Sequence, residues 1–384
     1  MPCSTVALRR GHSPQPSRSS EVVEKILDIR DHPPANLRRV PGPKTILYFL
    51  AHDEQLARSH VPVPKSTRTV WQVLTQYQRI RRPQKANHEP LPAAAPLQHW
   101  QFDFKDATTA QAPESDKRIH QVEILNVVDS GTSLVLDNQM RTDFTAETAL
   151  LALASTFLQH GRPQSLTFDR DPRFVGSQQS RDFPSALLRF LLCMGVQPQV
   201  CSPQRPDKNA YVERLHRSLT AEVLQRERPA DVEATRQCVE RYRTYYNRER
   251  PNQARSCQNQ PPASAFPVLP VLPPLPQQVD PDGWLTAIDG KLFQRRVELN
   301  GAVKVDKFRY YVQQKLRGQV VLLKVDAAQR TFEIFFQGRR IKQMAIQGLH
   351  HEMLSLQDYL RQICKEAVSE ERRRLKRKQH WATI

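Results

Sequence analysis

The chain has few cysteines and places them far apart. Six occur among 384 residues, at positions 3, 193, 201, 238, 257 and 364, with no Cys-x-x-Cys pair and no close Cys/His cluster. This spacing argues against a zinc site, whose ligands usually come in close pairs. It also argues against a disulfide framework and indicates a reducing compartment.

Long apolar runs are lacking as well. The first ten residues have no apolar core of the kind that a signal peptide needs, and the longest apolar stretch, around 149–158, is too short to span a bilayer. From these absences we expect a soluble cytoplasmic protein with no membrane partner.

Negative charge is scarce at both ends of the chain. The formal net charge is +18, of which residues 1–97 contribute +8, residues 283–384 contribute +11 and residues 98–282 contribute −1. Basic flanks around a nearly neutral middle predict a polyanionic partner that the ends bind, with carboxylates of the middle reserved for metal. The alternative is that Lys and Arg only keep the surface soluble.

The N-terminal part divides into a disordered start and a helical region. Residues 1–19, rich in Ser, Pro and Arg, are predicted to be disordered. Residues 20–82 carry apolar residues at helical spacing, and Ser66 or Thr67 can cap the last helix. This layout predicts a helix-turn-helix whose second helix presents Arg68 and Gln72 to DNA. The alternative is an ordinary small helical bundle.

The middle of the chain alternates strand and helix patterns between two proline-rich linkers, at 83–97 and 258–283. Strands are predicted at 99–105, 120–128, 133–139, 164–169 and 197–201, and helices at 144–159, 181–194, 207–227 and 231–247. Residues 98–257 are therefore predicted to form an α/β layer domain with a mixed sheet.

The C-terminal part shows strand patterns first and a helix afterwards. Asn300-Gly301 suits a type I′ turn, and with the later strands it predicts a small β-barrel over 284–345. Residues 346–384 are predicted to be a C-terminal helix with a basic tail. That tail either contacts phosphate or acidic partners or is a solvated helix end.

Three carboxylates of the middle region stand in contexts that suit metal binding. Alternation in the first strand puts the aromatic neighbours of Asp103 on the opposite side. Asp169 follows a strand, where α/β sheets place ligands, and Glu213 lies on the first turns of a helix. Carboxylates of this kind can hold two divalent cations for phosphodiester chemistry. The alternatives are an exposed edge strand for Asp103 and a helical salt bridge from Glu213 to Arg217.

Six motifs follow one another in the order found in one known family. They are Trp100-x-x-Asp103, Val127-Val-Asp-Ser130, Phe168-Asp-Arg-x-Pro-x-Phe174, Pro203 to Arg214, Tyr246-Asn-Arg-Glu-Arg-Pro251 and Pro262-Ala-Ser-Ala-Phe266. On these motifs, residues 98–267 resemble the ribonuclease H-like catalytic core of retroviral-type integrases and of the bacterial insertion-sequence transposases called DDE enzymes. The predicted helix-turn-helix and barrel resemble accessory domains of such enzymes more weakly. The resemblance implies a multidomain α/β protein with a mixed-sheet core between these two modules.

The resemblance also implies the chemistry. Asp103, Asp169 and Glu213 would bind two Mg²⁺ or Mn²⁺ ions, water would cleave the transposon ends, and the freed 3′-hydroxyl would attack target DNA. The implied partners are DNA, which would associate the protein with the nucleoid, and further copies of the chain, with an accessory ATPase as a further candidate. Four more side chains are expected to contact DNA: Lys208, Asn209, Arg214 and Arg217.

Two departures from the family pattern leave choices open. Asp171 stands where many relatives have glycine, so it could be the ligand instead of Asp169. The interval from Asp169 to Glu213 is long, which predicts a surface insertion around 176–184. The alternative functions are a catalytically silent DNA-binding regulator or targeting protein derived from a transposase, and a plain nuclease of this fold.

Overall fold

The computed structural model of the chain describes residues 19–34, 37, 39–59, 61–80, 94–109, 122–176, 183–202 and 206–382. By their contacts, the residues divide into two compact units, Met1–Asn87 and His88–Ile384. The disorder predicted for 1–19, most of the 83–97 linker and most of the insertion predicted around 176–184 lie outside the described residues.

The first unit is a small helical assembly. Its helices are α1 (Ser20–Asp31), α2 (Pro43–Ala51), α3 (Glu54–Arg58) and α4 (Thr67–Gln76). Ser66 caps α4 by accepting from the backbone N–H of Arg68 at 3.2 Å, as predicted. Apolar residues of all four helices share one core. The Arg68 side chain is exposed and that of Gln72 is half-buried, and their contact with DNA stays a prediction.

The second unit is built around a mixed five-stranded sheet, as predicted. Its strands are β1 (His99–Ala107), β2 (Val122–Asp129), β3 (Val135–Arg141), β4 (Ser165–Phe168) and β5 (Gln197–Val200), in the order β3-β2-β1-β4-β5. The first three strands are antiparallel, and β4 runs parallel to both β1 and β5. Strand β1 is therefore the centre of the sheet.

Helices cover both faces of this sheet. They are α5 (Ala146–His160), α6 (Pro172–Val175), α7 (Ala186–Cys193), α8 (Ala210–Leu219), α9 (Gln225–Glu227), α10 (Val232–Arg248) and α11 (Pro262–Ala265). Apolar side chains of α5 and α7 pack on one face, and those of α8 and α10 pack on the other. Because both faces are covered, even the polar side chain of Gln101 in β1 is buried.

Two predicted helices differ from the observed ones at their ends. The helix expected over 181–194 begins at Ala186, because Pro184 disfavours helical backbone before it and Ser185 caps the helix through the N–H of Leu188. The helix expected over 207–227 is divided. A 3₁₀ turn at Pro206–Asn209 precedes α8, and a π-helical segment at Thr220–Leu224 separates α8 from α9.

The proline-rich segment 258–283 packs on the core instead of spanning open solvent. It contains α11 and β6 (Gln278–Val279), and its Leu272 and Leu275 are buried in the core beneath α5 and α7. The carbonyl of Pro273 accepts from the N–H of Arg162 at 2.9 Å. The segment therefore belongs to the same compact unit as the sheet.

A smaller β module follows. Its strands are β7 (Leu292–Arg296), β8 (Ala302–Val305), β9 (Phe308–Tyr311), β10 (Val320–Asp326), β11 (Thr331–Phe336) and β12 (Arg339–Ala345). They form an antiparallel sheet, β12-β11-β10-β7, and a separate hairpin, β8-β9, around one core. The chain turns at Gly301, but β7 pairs with β10, so the hairpin expected around Asn300-Gly301 forms one strand later. A closed barrel stays a prediction.

The chain ends in a short strand and a long helix. Strand β13 (Leu354–Ser355) pairs with β6, and α12 (Leu356–Ala382) packs on α5 and α7 through Tyr359 and Ile363. Part of its basic end is engaged within the protein, since Arg373 pairs with Asp306 at 3.1 Å. Within the described ranges, no helix combines the length and the apolar character needed to cross a lipid bilayer.

Candidate active site

The pairing of β1 with β4 brings two of the predicted carboxylates together. The two strands are parallel, and their last paired residues are Gln101 and Thr167. Two positions beyond that pair, Asp103 lies in the middle of β1 and Asp169 directly follows the end of β4. Because β1 is the central strand, Asp103 does not lie on an exposed edge. Its side chain is only 16% exposed.

The side chain of Gln101 fastens α8 to the same strand. Its Oε1 accepts from the backbone N–H groups of Tyr211 at 2.8 Å and Val212 at 3.3 Å, and its Nε2 donates to the carbonyl of Lys208 at 3.1 Å. The two N–H groups belong to the first turn of α8, where backbone N–H groups have no partner within the helix. Gln101 thereby fixes the helix that carries Glu213, on the face of β1 that also carries Asp103.

Glu213 and Asp103 line the same cleft. The other described residues lining this cleft include Lys105, His216 and Arg217, but not Asp169. No ion pair joins Glu213 to Arg217 in the described part of the chain, so the helical salt bridge considered as an alternative is not formed. The cleft thus combines carboxylates with two cationic side chains, the half-buried Lys105 and the exposed Arg217.

Burial and neighbouring carboxylates hold a proton on Asp103. Its pKa is raised to about 8, first by burial and next by the negative charge of Asp169, with smaller contributions from Glu213 and Asp171. The backbone N–H of Phe104 donates to Asp103 Oδ1 at 2.8 Å and opposes this shift. Burial also raises the pKa of Asp169; the backbone N–H of Asp171 and the charge of Arg173 oppose this shift, and the charge of Asp171 adds to it. Burial thus disfavours the charged form of both carboxyl groups.

Asp171 is engaged in a different interaction. Its Oδ1 accepts from the backbone N–H and Nε of Arg173, at 2.7 and 3.0 Å, and its Oδ2 accepts from Nη2 at 2.7 Å. Arg173 also binds Glu123 at 2.7 Å and lies over the ring of Phe104 at 3.9 Å. Both oxygens of Asp171 are thus bound to an arginine, whereas among the described residues Asp169 accepts only from the N–H of Asp171, at 2.9 Å. This difference favours Asp169 as the ligand.

A buried histidine stands beside Asp103. His216 Nδ1 lies 4.0 Å from Asp103 Oδ2, and its Nε2 is 3.1 Å from Nδ2 of Asn126. Burial, with a smaller contribution from the charge of Lys105, lowers the pKa of His216 to about 3. The imidazole is therefore neutral at physiological pH.

The carboxylate oxygens of the site suit hard divalent cations, although the side chains do not surround one common point. Carboxylate oxygens are the ligands that Mg²⁺ and Mn²⁺ prefer, and the raised pKa of Asp103 marks charge that a cation would compensate. Across the ranges that the structure describes, no three His, Cys, Asp or Glu side chains stand close enough to hold one ion together. Asp103, Asp169 and Glu213 are the residues that could hold cations here.

The four side chains expected to contact DNA have different surroundings. Lys208 and Arg217 are exposed, and Arg217 lines the cleft. Arg214 is exposed and does not line the cleft. Burial raises the pKa of Tyr246, and the charges of Arg250 and Arg214 oppose this shift. Asn209 is only 3% exposed and its Nδ2 points to the carbonyl of Phe102 at 3.5 Å, so a surface contact of Asn209 with DNA does not fit the structure. The preceding residues 203–205 lie outside the described ranges.

One family model matches this region. Residues 194–262 match the model described as "Integrase core domain". The matched stretch runs from the end of α7 to α11 and includes Glu213, whereas Asp103 and Asp169 precede it.

Two solved structures are similar to parts of the chain. One is the simian T-cell lymphotropic virus intasome in complex with PP2A regulatory subunit B56 gamma, at 16% identity and a TM-score of 0.36, covering 74% of this chain and 99% of that one. The other is the HTLV-2 integrase catalytic core domain in complex with magnesium, in a trimeric form, at 13% identity and a TM-score of 0.33, covering 45% of this chain and 99% of that one. At these scores the likenesses establish no common fold by themselves.

Two residues of the site, Gln101 and Arg173, were not among those predicted from the sequence. The period of two in β1 could have marked Gln101 as a site residue, because a polar side chain two positions from Asp103 in a buried strand needs a partner. Arg173 follows Asp171 by two positions, but no local pattern indicates that its guanidinium also reaches Glu123.

Proposed function

We propose that the chain is a DDE-type transposase or integrase, which cuts DNA at the ends of a mobile element and joins them to target DNA in a reaction dependent on two Mg²⁺ or Mn²⁺ ions. The observation that carries the proposal is the register of β1 and β4, which sets Asp103 beside Asp169 while Gln101 fastens the Glu213 helix to the same strand. The mixed sheet and its helices fit a ribonuclease H-like core. The match of residues 194–262 to an integrase core model supports the same assignment.

The chemistry follows from what these side chains can do. Asp103, Asp169 and Glu213 would hold the cations, and Asp103 must lose its proton to do so. Bound cations would activate the attacking oxygen and stabilise the leaving oxygen of the phosphodiester. Arg217 and Lys105, on the wall of the cleft, would attract the DNA phosphates. Asp171 and Arg173 would keep the loop after β4 in place through their mutual ion pair.

The decisive test is the loss of one carboxylate. Asp103→Asn should reduce DNA strand transfer by roughly a thousandfold or more in Mg²⁺, because the cations lose a charged ligand on the central strand. DNA affinity should remain within about twofold. The matched control is Asp143→Asn, at an exposed aspartate, which should leave strand transfer unchanged. A fully active Asp103→Asn variant would refute the proposal.

The choice between Asp169 and Asp171 has its own test. Asp169→Asn should abolish strand transfer, and Asp171→Asn should lower the free energy of unfolding by about 1–2 kcal/mol through the lost cap and ion pair. The Asp171 variant should keep Mn²⁺ binding, measured by electron paramagnetic resonance of the free ion. The reverse pattern, with Mn²⁺ binding lost only in Asp171→Asn, would make Asp171 the ligand.

A catalytically silent DNA-binding protein is the second candidate. It is favoured by the absence, within the described residues, of three acidic or imidazole side chains close enough to hold one ion. For such a protein, Mn²⁺ should bind no more tightly to the wild type than to Asp103→Asn, while the net charge of +18 should still give salt-dependent DNA binding. Inverted repeats flanking the gene would favour the active enzyme.

Joining two DNA ends at one target requires more than one active site. We therefore expect a dimer or larger assembly on paired ends, measured by mass photometry of the protein–DNA complex. A species that stays monomeric while it joins paired ends would contradict this. The helix-turn-helix, the DNA contacts of Arg68 and Gln72, and an accessory ATPase belong to the same proposal.

A further inference from the structure

A chain of buried polar side chains runs behind Asp103. Asn126, on β2, is fully buried, and β2 pairs with β1 so that Asn126 stands directly opposite Asp103. Its Oδ1 accepts from Nδ2 of Asn138 on β3, and its Nδ2 donates to the carbonyl of Ile124 at 3.0 Å. The same Nδ2 faces His216 Nε2 at 3.1 Å. Three neighbouring elements, β2, β3 and α8, therefore support one imidazole.

These hydrogen bonds determine the tautomer of His216. The two protons on Asn126 Nδ2 are directed to the carbonyl of Ile124 and to His216 Nε2, so Nε2 must be an unprotonated acceptor. The proton of the neutral ring is then on Nδ1. Nδ1 is the atom that faces Asp103 Oδ2, at 4.0 Å.

The two carboxylate oxygens of Asp103 therefore have different neighbours. Oδ1 accepts from the backbone N–H of Phe104, while Oδ2 faces an N–H that is held in a fixed ring. At 4.0 Å the second contact is longer than a hydrogen bond, so the imidazole lies next to Oδ2 without occupying it. Oδ2 stays free to bind a cation and has a donor behind it.

We infer that His216 is a positioning residue for Asp103, and that its Nδ1–H orients Oδ2 for a divalent cation. The inference rests on the proposed function, because it presumes that Asp103 is a metal ligand. It assigns a role to a side chain that would itself touch neither the metal nor the DNA. Partners of this kind around metal ligands typically contribute about 10–100-fold to metal affinity.

Two substitutions of His216 test the contacts of its two ring nitrogens one at a time. His216→Asn places an amide near the Nδ1 position and can still donate toward Asp103, but it cannot reach Asn126. His216→Gln extends to the Nε2 position and can accept from Asn126, but it offers no donor to Asp103. A role in packing alone would be disturbed by both variants, whereas a positioning role would be lost only in His216→Gln.

The experiment is a titration of the full chain with Mn²⁺ in the absence of DNA, followed by electron paramagnetic resonance. We expect His216→Gln to bind Mn²⁺ roughly 10–100-fold more weakly than the wild type, and His216→Asn to stay within about threefold. Wild-type affinity in His216→Gln, or an equal loss in both variants, would overturn the inference. Asp103→Asn belongs in the same series: if it binds Mn²⁺ like the wild type, the proposed metal ligand itself is wrong.

The tautomer provides a readout on the wild-type protein, which does not depend on how well a variant folds. Nitrogen-15 chemical shifts of histidine distinguish the protonated ring nitrogen from the unprotonated one. Among the twelve histidines, the signal of His216 is identified by its loss in His216→Asn. Protonation at Nδ1 supports the inference, and protonation at Nε2 overturns it.

Discussion

Two acidic clusters of the second unit are built in opposite ways. Around Asp103, the neighbouring charges of Asp169 and Glu213 add to burial and raise the pKa. Around Glu370 of α12, burial also raises the pKa, but the charge of Arg189 opposes it. Arg189 binds Glu370 and Glu366 at 2.7 Å each and lies 3.5 Å from Asp306.

The difference separates a structural cluster from a candidate catalytic one. Arg189, on α7, joins the helix α12 and the β8–β9 turn of the small module, so its partners stabilise one arrangement of three elements. In the described part of the chain, no ion pair joins Asp103 or Asp169 to a lysine or an arginine. Carboxyl groups that are partly buried beside one another without such a pair, at a surface cleft, have a place for a cation from outside.

The largest expected effect comes from removing the internal cation. Arg189→Met should lower the free energy of unfolding by about 3–5 kcal/mol, because Glu366 and Glu370, which have little contact with solvent, lose their guanidinium partner. Urea denaturation of the full chain measures the change. Arg361→Met is the matched control: its exposed pair with Asp358 should contribute less than about 1 kcal/mol. Similar losses in both variants would contradict the comparison.

A smaller effect is expected from the tether between the strand and α8. Gln101→Met keeps the length of the side chain but leaves the N–H groups of Tyr211 and Val212 without their acceptor. We expect a loss of about 2 kcal/mol in the free energy of unfolding. Strand transfer should fall further than the population of folded protein, because Glu213 is no longer fixed relative to Asp103. Strand transfer that only follows the folded fraction would show that the tether serves stability alone.

The smallest effect is a change in the pH dependence of stability without metal. Between pH 4 and 8, Asp103 is ionised in the unfolded chain but keeps its proton in the folded one, so stability falls as the pH rises through this window. The amide of Asp103→Asn does not ionise in this pH range. The variant should therefore become more stable than the wild type by about 1 kcal/mol or more at pH 8, and the advantage should vanish near pH 4.

Thermal unfolding at several pH values measures this difference. Added Mg²⁺ should reduce the difference in stability between the two proteins, because a bound cation compensates the charge of the Asp103 carboxylate, which only the wild type has. Parallel pH profiles of the wild type and Asp103→Asn would show that Asp103 titrates in the folded protein as it does in the unfolded one.

Much of the core was predictable because its signals are local. The aromatic alternation around Asp103 predicted a strand with one buried face, and Trp100 and Phe102 are fully buried. The helix pattern over 207–227 predicted α8, whose buried apolar side chains pack on the sheet. Helix and strand ends were less predictable, since the start of α7 depends on Pro184 and on the cap by Ser185.

The burial of Asn209 could not be predicted from the residues next to it in the sequence. A polar side chain before a helix is as common on the surface as in a junction, and only the pairing of β1 with β4 and the position of α8 put it beneath the protein surface. The same holds for the hairpin near Gly301, where β10 is the better partner for β7 and lies well beyond the turn in sequence.

The order of strands and helices and the basic flanks were determined by the sequence alone, because the periodicity of an element and the composition of a segment are local properties of the chain. Which carboxylates have a cation partner was decided only by the tertiary structure. Arg189 and Glu370 are 181 residues apart, and Arg173 and Glu123 are 50 apart. Electrostatic interaction depends on distance in space, and folding sets that distance without regard to separation along the chain.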